Sequence, residues 1–274
     1  MQLTLNSTFR LNDGVEIPVL GLGTWTLSGK SAKNAVLWAL GAGYRLIDTA
    51  TIYGNERWIG KALTDTSVSR DDLFITTKVW DTDHGHEDTL SSFSKSLKRL
   101  KLSYIDLYLI HWPNGGKLEE TWKALEYLKE EGKVRSIGVS NYTVSHLKDL
   151  LDYGDLTPSV NQVEFHPFLY QEELLEFCRN HDIRLEAYSP LTRAYKLDHP
   201  VLKELANKHD KSTAQILLRW GLQHGIVEIP KSGSRKHIQE NANVFEFSLE
   251  QEDMTQLDGL NESFRVVEDS IFSD

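Results

Sequence analysis

The chain has 274 residues, 26% of them charged and 40% apolar, an ordinary soluble balance for one large α/β domain. A formal net charge of −10 excludes a broad nucleic-acid-binding face, though not a local basic pocket for a small phosphate. The single cysteine, Cys178, excludes an internal disulfide framework and fits a reducing compartment. With neither a leader-like start nor a run long enough for a bilayer, the expected setting is the cytoplasm, away from membranes.

The first twenty residues read as a β-hairpin, Thr8–Leu11 and Val15–Ile17, turning at Asn12-Asp13-Gly14. Strand and helix then alternate. Val19–Gly23 precedes a helix from about Ser31 whose Ala32, Ala35, Val36, Ala39 and Leu40 share one face and which Gly41 and Gly43 stop. Leu46–Asp48 leads into a helix over 55–63. Phe74–Thr77 precedes helix 87–100, with its stripe of Leu90, Phe93, Leu97 and Leu100, and Ile105–Ile110 precedes helix 118–131. Ser136–Val139 feeds a helix through Val144, Leu147 and Leu151, and Val160–Phe165 one through Leu174, Leu175 and Cys178. Ile183–Ala187 leads to the helices of 199–223, and Ile226–Ile229 to a last helix near 235–243. Eight βα units without a linker predict one domain over 1–274, a (β/α)8 TIM barrel closed from a parallel sheet and preceded by the hairpin.

Such a barrel gathers the ends of its strands at one face, where the active site sits. Asp48, Lys78 and His111 each close a strand-like run, Lys78 that of Leu73–Lys78, and Tyr53 lies in the loop after Asp48. Singly, each has a plainer reading: an Asp48–Lys78 pair stapling two strands, a packed Tyr53, a satisfied core His111. Jointly they form a proton-transfer set. A free phenol, with a pKa near 10, is a poor acid at neutral pH, and a neighbouring ammonium lowers that value. Tyr53 is then expected to protonate a developing alkoxide, with Lys78 tuning it, Asp48 holding Lys78 and His111 orienting the carbonyl oxygen.

Other motifs are weaker. Gly21-Leu22-Gly23 lacks the third glycine of a dinucleotide fingerprint, so a Rossmann reading fails. Asp81–His86 resembles a metal loop, but its glycine is one position early for calcium and Ser92 stands where the closing glutamate belongs, so a solvated loop and no metal site are expected. Lys231-Ser232-Gly233-Ser234-Arg235-Lys236-His237 follows the last strand and opens the last helix, where phosphate binding competes with a merely exposed basic turn. Tyr188-Ser189-Pro190 is either a strand-ending turn or a flat ring for stacking a cofactor.

Taken together, GYRLIDTATIYGNE (43–56), LIHWP (109–113), IGVSNY (137–142), NQVEFHP (161–167), AYSPL (187–191) and IPKSGSRKHIQEN (229–241) resemble the aldo-keto reductases over nearly the whole chain. The short loops and tail are similar to the prokaryotic diketogluconate-reductase branch. The resemblance implies hydride transfer from a nicotinamide dinucleotide to a small carbonyl substrate, on a barrel acting as a monomer. It implies Tyr53 as proton donor with Asp48, Lys78 and His111 as the other catalytic residues. It implies Ser140, Asn141 and Gln162 around the carboxamide and Tyr188 under the nicotinamide. Ser189, Leu191, Lys231, Ser232, Glu240 and Asn241 match contacts to the pyrophosphate and adenosine end. Thr24 and Trp25 lie over the cofactor and the substrate mouth, and Trp25, Ile52, Trp80 and Trp112 join His111 as pocket walls. Where many members carry an arginine for the adenosine 2′-phosphate, this chain has His237, with Ser234 and Arg235 close by. The expectation is NADPH as preferred cofactor with NADH usable. Two other functions compete: a cofactor-binding regulatory barrel, which the potassium-channel β subunits resemble, and a Schiff-base aldolase using Lys78.

Overall fold

A computed structural model describes residues 3–267. The expected hairpin forms from β1 (Thr8–Arg10) and β2 (Glu16–Pro18), antiparallel, with Gly14 at φ +85° in the turn. Eight parallel strands follow: β3 (Gly21–Gly23), β4 (Leu46–Asp48), β5 (Phe74–Val79), β6 (Ile105–Ile110), β7 (Val134–Ser140), β8 (Val160–Glu164), β9 (Arg184–Tyr188) and β10 (Val227–Glu228). They pair in chain order. Parallel bridges Leu20–Glu228 and Gly23–Lys231 return the last strand to the first and complete the barrel. The close approach there explains Gly21-Leu22-Gly23: a Cβ on Gly23 would lie 2.6 Å from the Ile229 carbonyl oxygen.

The outer helices are α1 (Gly29–Gly41), α2 (Glu56–Asp65), α3 (His86–Leu100), α4 (Leu118–Glu130), α5 (Val144–Tyr153), α6 (Glu172–Asn180), α7 (Pro200–His209), α8 (Thr213–Gln223), α9 (Arg235–Ala242) and α10 (Gln251–Asp258). The sequence stops α5 and α8 from slipping: capping boxes Thr143/His146 and Ser212/Gln215 satisfy their first free N–H groups. Strand residues such as Ile47, Ile75, Tyr108 and Ile137 face the helices in one large apolar layer. The opposite strand faces, with Leu46, Phe74, Leu107, Leu109, Val160 and Val227, fill the barrel interior, and Leu11 and Ile17 of the hairpin pack into that same cluster and form its floor.

Three expectations need correction. Helix α10 was not anticipated, because only Met254 and Leu257 carry an apolar signal; its start is fixed by a reciprocal Glu250/Asp253 box. In α5 the second buried contact is Leu150, not Leu151. Asp81–His86 is not a solvated loop: Asp81–Asp83 forms a 3₁₀ turn, Ser92 Oγ donates to Asp83 Oδ2 at 2.8 Å, and His84 is buried with Nδ1 2.8 Å from the Asn114 carbonyl oxygen. Among the described residues no helix is long and apolar enough to cross a membrane.

Candidate active site

The C-terminal ends of the strands open onto a cavity of about 550 Å³. Strand order alone brings the four expected groups together: Asp48 ends β4, Lys78 lies on β5, His111 follows β6, and Tyr53 closes the Thr51–Tyr53 turn after β4. Lys78 is fully buried and donates to both oxygens of Asp48 at 2.8 Å, to the Thr49 carbonyl at 3.0 Å and to Tyr53 Oη at 3.4 Å. The Tyr53 and Trp80 rings meet His111 edge-on, with centroids 5.5 and 5.2 Å away.

Burial and the neighbouring charges shift each of the four groups, and at the phenol they depart from the expectation. Burial alone would release the proton of Lys78, but Asp48, with Tyr53 and Glu186, more than restores it, so the ammonium is held above its ordinary pKa. Burial pushes the Asp48 carboxyl up, opposed by Lys78 and Gln162. Burial, followed by the Lys78 charge, drives His111 well below the ordinary histidine value, leaving a neutral imidazole. Its Nδ1 is buried without a hydrogen-bond partner among the described residues. Tyr53 was expected to be acidified. Lys78 does lower it, but burial is the larger effect, Asp48 and Glu186 add to it, and the pKa stands above the ordinary value.

The residues matched to the carboxamide sit on one wall. Ser140 Oγ donates to the Gln162 carbonyl at 2.8 Å; Asn141, at φ +65°, donates through Nδ2 to the His111 carbonyl at 2.9 Å and to Ser140 Oγ at 3.1 Å. Asn141 Oδ1 accepts from Tyr188 Oη at 2.8 Å, which fixes the ring of Tyr188 at the cavity wall. Gln162 Nε2 donates to Asp48 Oδ2 at 2.9 Å and to Glu186 Oε2 at 2.6 Å. Both amide hydrogens are thus used below the cavity floor, and the carbonyl oxygen is the atom left to accept from a ligand.

Thr24, Trp25, Ile52, Trp80, Trp112, Ser189, Leu191 and Lys231 all line the cavity as expected. Ser232, Ser234, Arg235, His237, Glu240 and Asn241 do not line it; they continue from Lys231 along the start of α9. Ser234 caps α9, its Oγ accepting from the His237 N–H at 3.5 Å, and Lys231, Arg235, Lys236 and His237 are exposed. None of these four makes an ion pair among the described residues. Two serines, an amino-terminal helix end and the unpaired Lys231, Arg235 and Lys236 side chains are a donor set suited to phosphate.

Sequence reading missed four contributors. Asn55 holds the 24–27 loop on β4: Nδ2 donates to the Thr24 and Leu27 carbonyls at 2.9 and 3.0 Å, and Oδ1 accepts from Thr49 at 2.6 Å. Its place in the YGNE motif was the available signal. Glu186 lies beneath Gln162. Arg193 stands over the Trp25 ring at 4.3 Å, on a cavity-lining loop in which Ser189, Thr192, Arg193 and Ala194 all have positive φ. Val267 reaches the cavity from the far end of the chain, because Glu164 accepts from the Val266 and Val267 N–H groups at 2.7 and 2.9 Å while pairing with His166 at 2.9 Å. No local pattern announces contacts across such separations.

The chain is similar to known proteins over most of its length. The model of the aldo/keto reductase family matches residues 19–262. The glyoxal reductase of Bacillus subtilis (strain 168) is 51% identical over 267 residues, 97% of each chain. The 9,11-endoperoxide prostaglandin H2 reductase of Trypanosoma cruzi (strain CL Brener) is 51% identical over 260 residues, 93% of this chain and 92% of that protein. The crystal structure of an aldo/keto reductase from Brucella melitensis superposes with a TM-score of 0.90 at 49% identity, covering 93% of this chain and 99% of that one. An aldo-keto reductase enzyme from a Medee basin deep-sea metagenome library gives 0.94 at 44% identity, covering 95% and 97%. With a family match across most of its length and half its residues shared with curated reductases, the chain belongs to the aldo/keto reductase family.

Proposed function

We propose that this protein reduces small aldehydes and ketones with NADPH in preference to NADH, and that Tyr53 supplies the proton. The observation that carries the reading is the Asp48–Lys78–Tyr53 chain at the floor of a largely apolar cavity, with a neutral His111 beside it. The dinucleotide supplies the hydride when bound. Gln162 Oε1 and the Tyr188 ring would hold its nicotinamide, Ser189 and Leu191 its middle, and the Lys231–His237 turn its phosphates.

The chain's own groups divide the remaining work. The His111 imidazole, kept neutral, offers an N–H to the carbonyl oxygen and so sets which face of the substrate is presented. Tyr53 stays protonated through neutral pH because burial holds its pKa up, so it enters the reaction loaded. When the phenol proton passes to the substrate oxygen, the tyrosinate left behind meets the Lys78 ammonium 3.4 Å away, whose own charge Asp48 secures. Trp25, Trp80 and Trp112 line the cavity, exclude water and favour apolar or aromatic carbonyl compounds. In this reading residues 1–274 act as one catalytic unit, as a monomer in the cytoplasm, without nucleic-acid or membrane partners.

The regulatory-barrel alternative uses the same cavity but needs no proton donor, and the Schiff-base alternative needs a neutral Lys78, which the Asp48 contacts oppose. The deciding experiment is Tyr53→Phe against a panel of carbonyl compounds, followed by NADPH absorbance. The expected result is a rate below a tenth of wild type, a loss of more than about 1.4 kcal/mol in transition-state stabilisation, with NADPH affinity nearly unchanged. A variant that keeps more than that rate rules Tyr53 out as the acid.

A further inference from the structure

A fully buried carboxyl that the proposed mechanism leaves without a role is that of Glu186. It lies on β9, in register with Gln162 on β8 and Val227 on β10, and is fully buried. Gln162 Nε2 bridges it to Asp48, at 2.6 Å to Glu186 Oε2 and 2.9 Å to Asp48 Oδ2. Two carboxyl groups therefore share one amide, with a single ammonium in the cluster. The ammonium is committed: Lys78 contacts both oxygens of Asp48 and makes no hydrogen bond to Glu186. Glu186 Oε1 is buried with no hydrogen-bond partner among the described residues. A proton on that oxygen balances the cluster, leaving one carboxylate for one ammonium.

The other charges around Glu186 are accounted for. Tyr53, from the turn after β4, feels it at a distance through the cluster. Arg184, two residues earlier on β9, donates to the Gly225 carbonyl at 2.9 Å and lies over the Phe9 ring. Tyr188, two residues later, is bonded to Asn141. Glu228 on β10 points away, pressed against Gly221 of α8. Val227, in register with Glu186, belongs to the apolar cluster that fills the barrel interior.

We propose that Glu186 is a positioning residue of the cofactor site that keeps its proton with the reduced nicotinamide and releases it when the oxidised, positively charged ring binds against Gln162. The inference rests on the nicotinamide site proposed above. The step is an ionisation: the O–H bond of the Glu186 carboxyl breaks, its electron pair stays on the carboxylate, and the proton leaves to solvent. A cation placed across one amide side chain favours the charged carboxylate, whereas the neutral reduced ring does not. Burial, then Asp48, push the Glu186 carboxyl up to about 8 against the pull of Gln162 and Lys78, so it is protonated near neutrality and close to ionising. Below that value a one-proton linkage tightens oxidised cofactor up to about tenfold per pH unit and leaves the reduced form unaffected.

The test uses the whole enzyme in weak buffer at pH 7 with an indicator dye, while quenching of protein fluorescence follows binding. NADP+ should release most of one proton and NADPH almost none; the 2′-phosphate is common to both and cancels. Glu186→Gln should bind both cofactors, release no proton with either, and lose the pH dependence of NADP+ affinity. Should that variant not fold, Glu186→Thr serves the same measurement. The infrared band of a protonated buried carboxyl should also disappear from wild type on NADP+ binding. Equal release by both cofactors, no release from wild type, or release that survives in Glu186→Gln overturns the proposal. Binding with a flat proton count overturns Glu186 alone, whereas failure to bind either cofactor overturns the nicotinamide site and this inference with it.

Discussion

Removing Lys78 tests the buried cluster from its centre. In Lys78→Met the side-chain volume is nearly kept, but Asp48 loses both 2.8 Å contacts and retains only Gln162 as a side-chain donor. Breaking a buried ion pair from one side costs about 3–5 kcal/mol. At about 2–4 °C per kcal/mol, thermal unfolding should fall by about 10 °C, and turnover should be lost. The cost should depend on pH. Without the ammonium, the folded-state pKa of Asp48 lies further above its unfolded value, since burial already pushes it up. A carboxyl raised in the folded state is penalised above its unfolded pKa, and the penalty fades as pH falls through the folded one. The deficit against wild type at the same pH should thus shrink as pH falls through the variant's raised Asp48 value, by at most about 1.4 kcal/mol per pH unit. Asp48→Asn combined with Lys78→Met should recover stability but not activity. Urea unfolding at several pH values reads all of this. A deficit that ignores pH, or a double variant no more stable than the single, refutes the account, and turnover in the double variant shows that the pair is only structural.

Cofactor preference should answer to the basic turn before α9. His237→Arg should widen the NADPH margin and Lys231→Gly should shrink it, read as kcat/KM for both cofactors at fixed substrate; an NADH preference in the unaltered protein refutes the phosphate-pocket reading of 231–237. Gly221→Ala should lower stability by about 1–3 kcal/mol, because a Cβ there would stand 1.6 Å from Glu228 Oε1; an unchanged urea midpoint means that this carboxyl moves freely.

The barrel and the four meeting groups were legible because each depends on short-range regularity. Period-two and period-3.6 runs mark strands and helices, and chain-order pairing then brings Asp48, Lys78 and His111 side by side. What escaped depends on distance and medium. Burial is a collective property, so no local reading could show that it outweighs Lys78 at Tyr53 or lifts Glu186 to about 8. The tie between Glu164 and the Val266–Val267 backbone spans some hundred positions, and its acceptor is an unremarkable glutamate in a strand. Helix α10 was lost for the opposite reason, too few apolar residues in too short a segment.

The hairpin floor carries a consequence for how such a chain changes over generations. With Leu11 and Ile17 stopping the barrel from below, traffic to Tyr53 passes over the rim formed by the 24–27 turn, the 189–194 loop and Val267. Positions that decide whether the chain folds and positions that decide which molecule is admitted are therefore largely different sets. On the proposed reading, rim substitutions can change which carbonyl compound is admitted while the interior and the Asp48–Lys78–Tyr53–His111 cluster stay as they are.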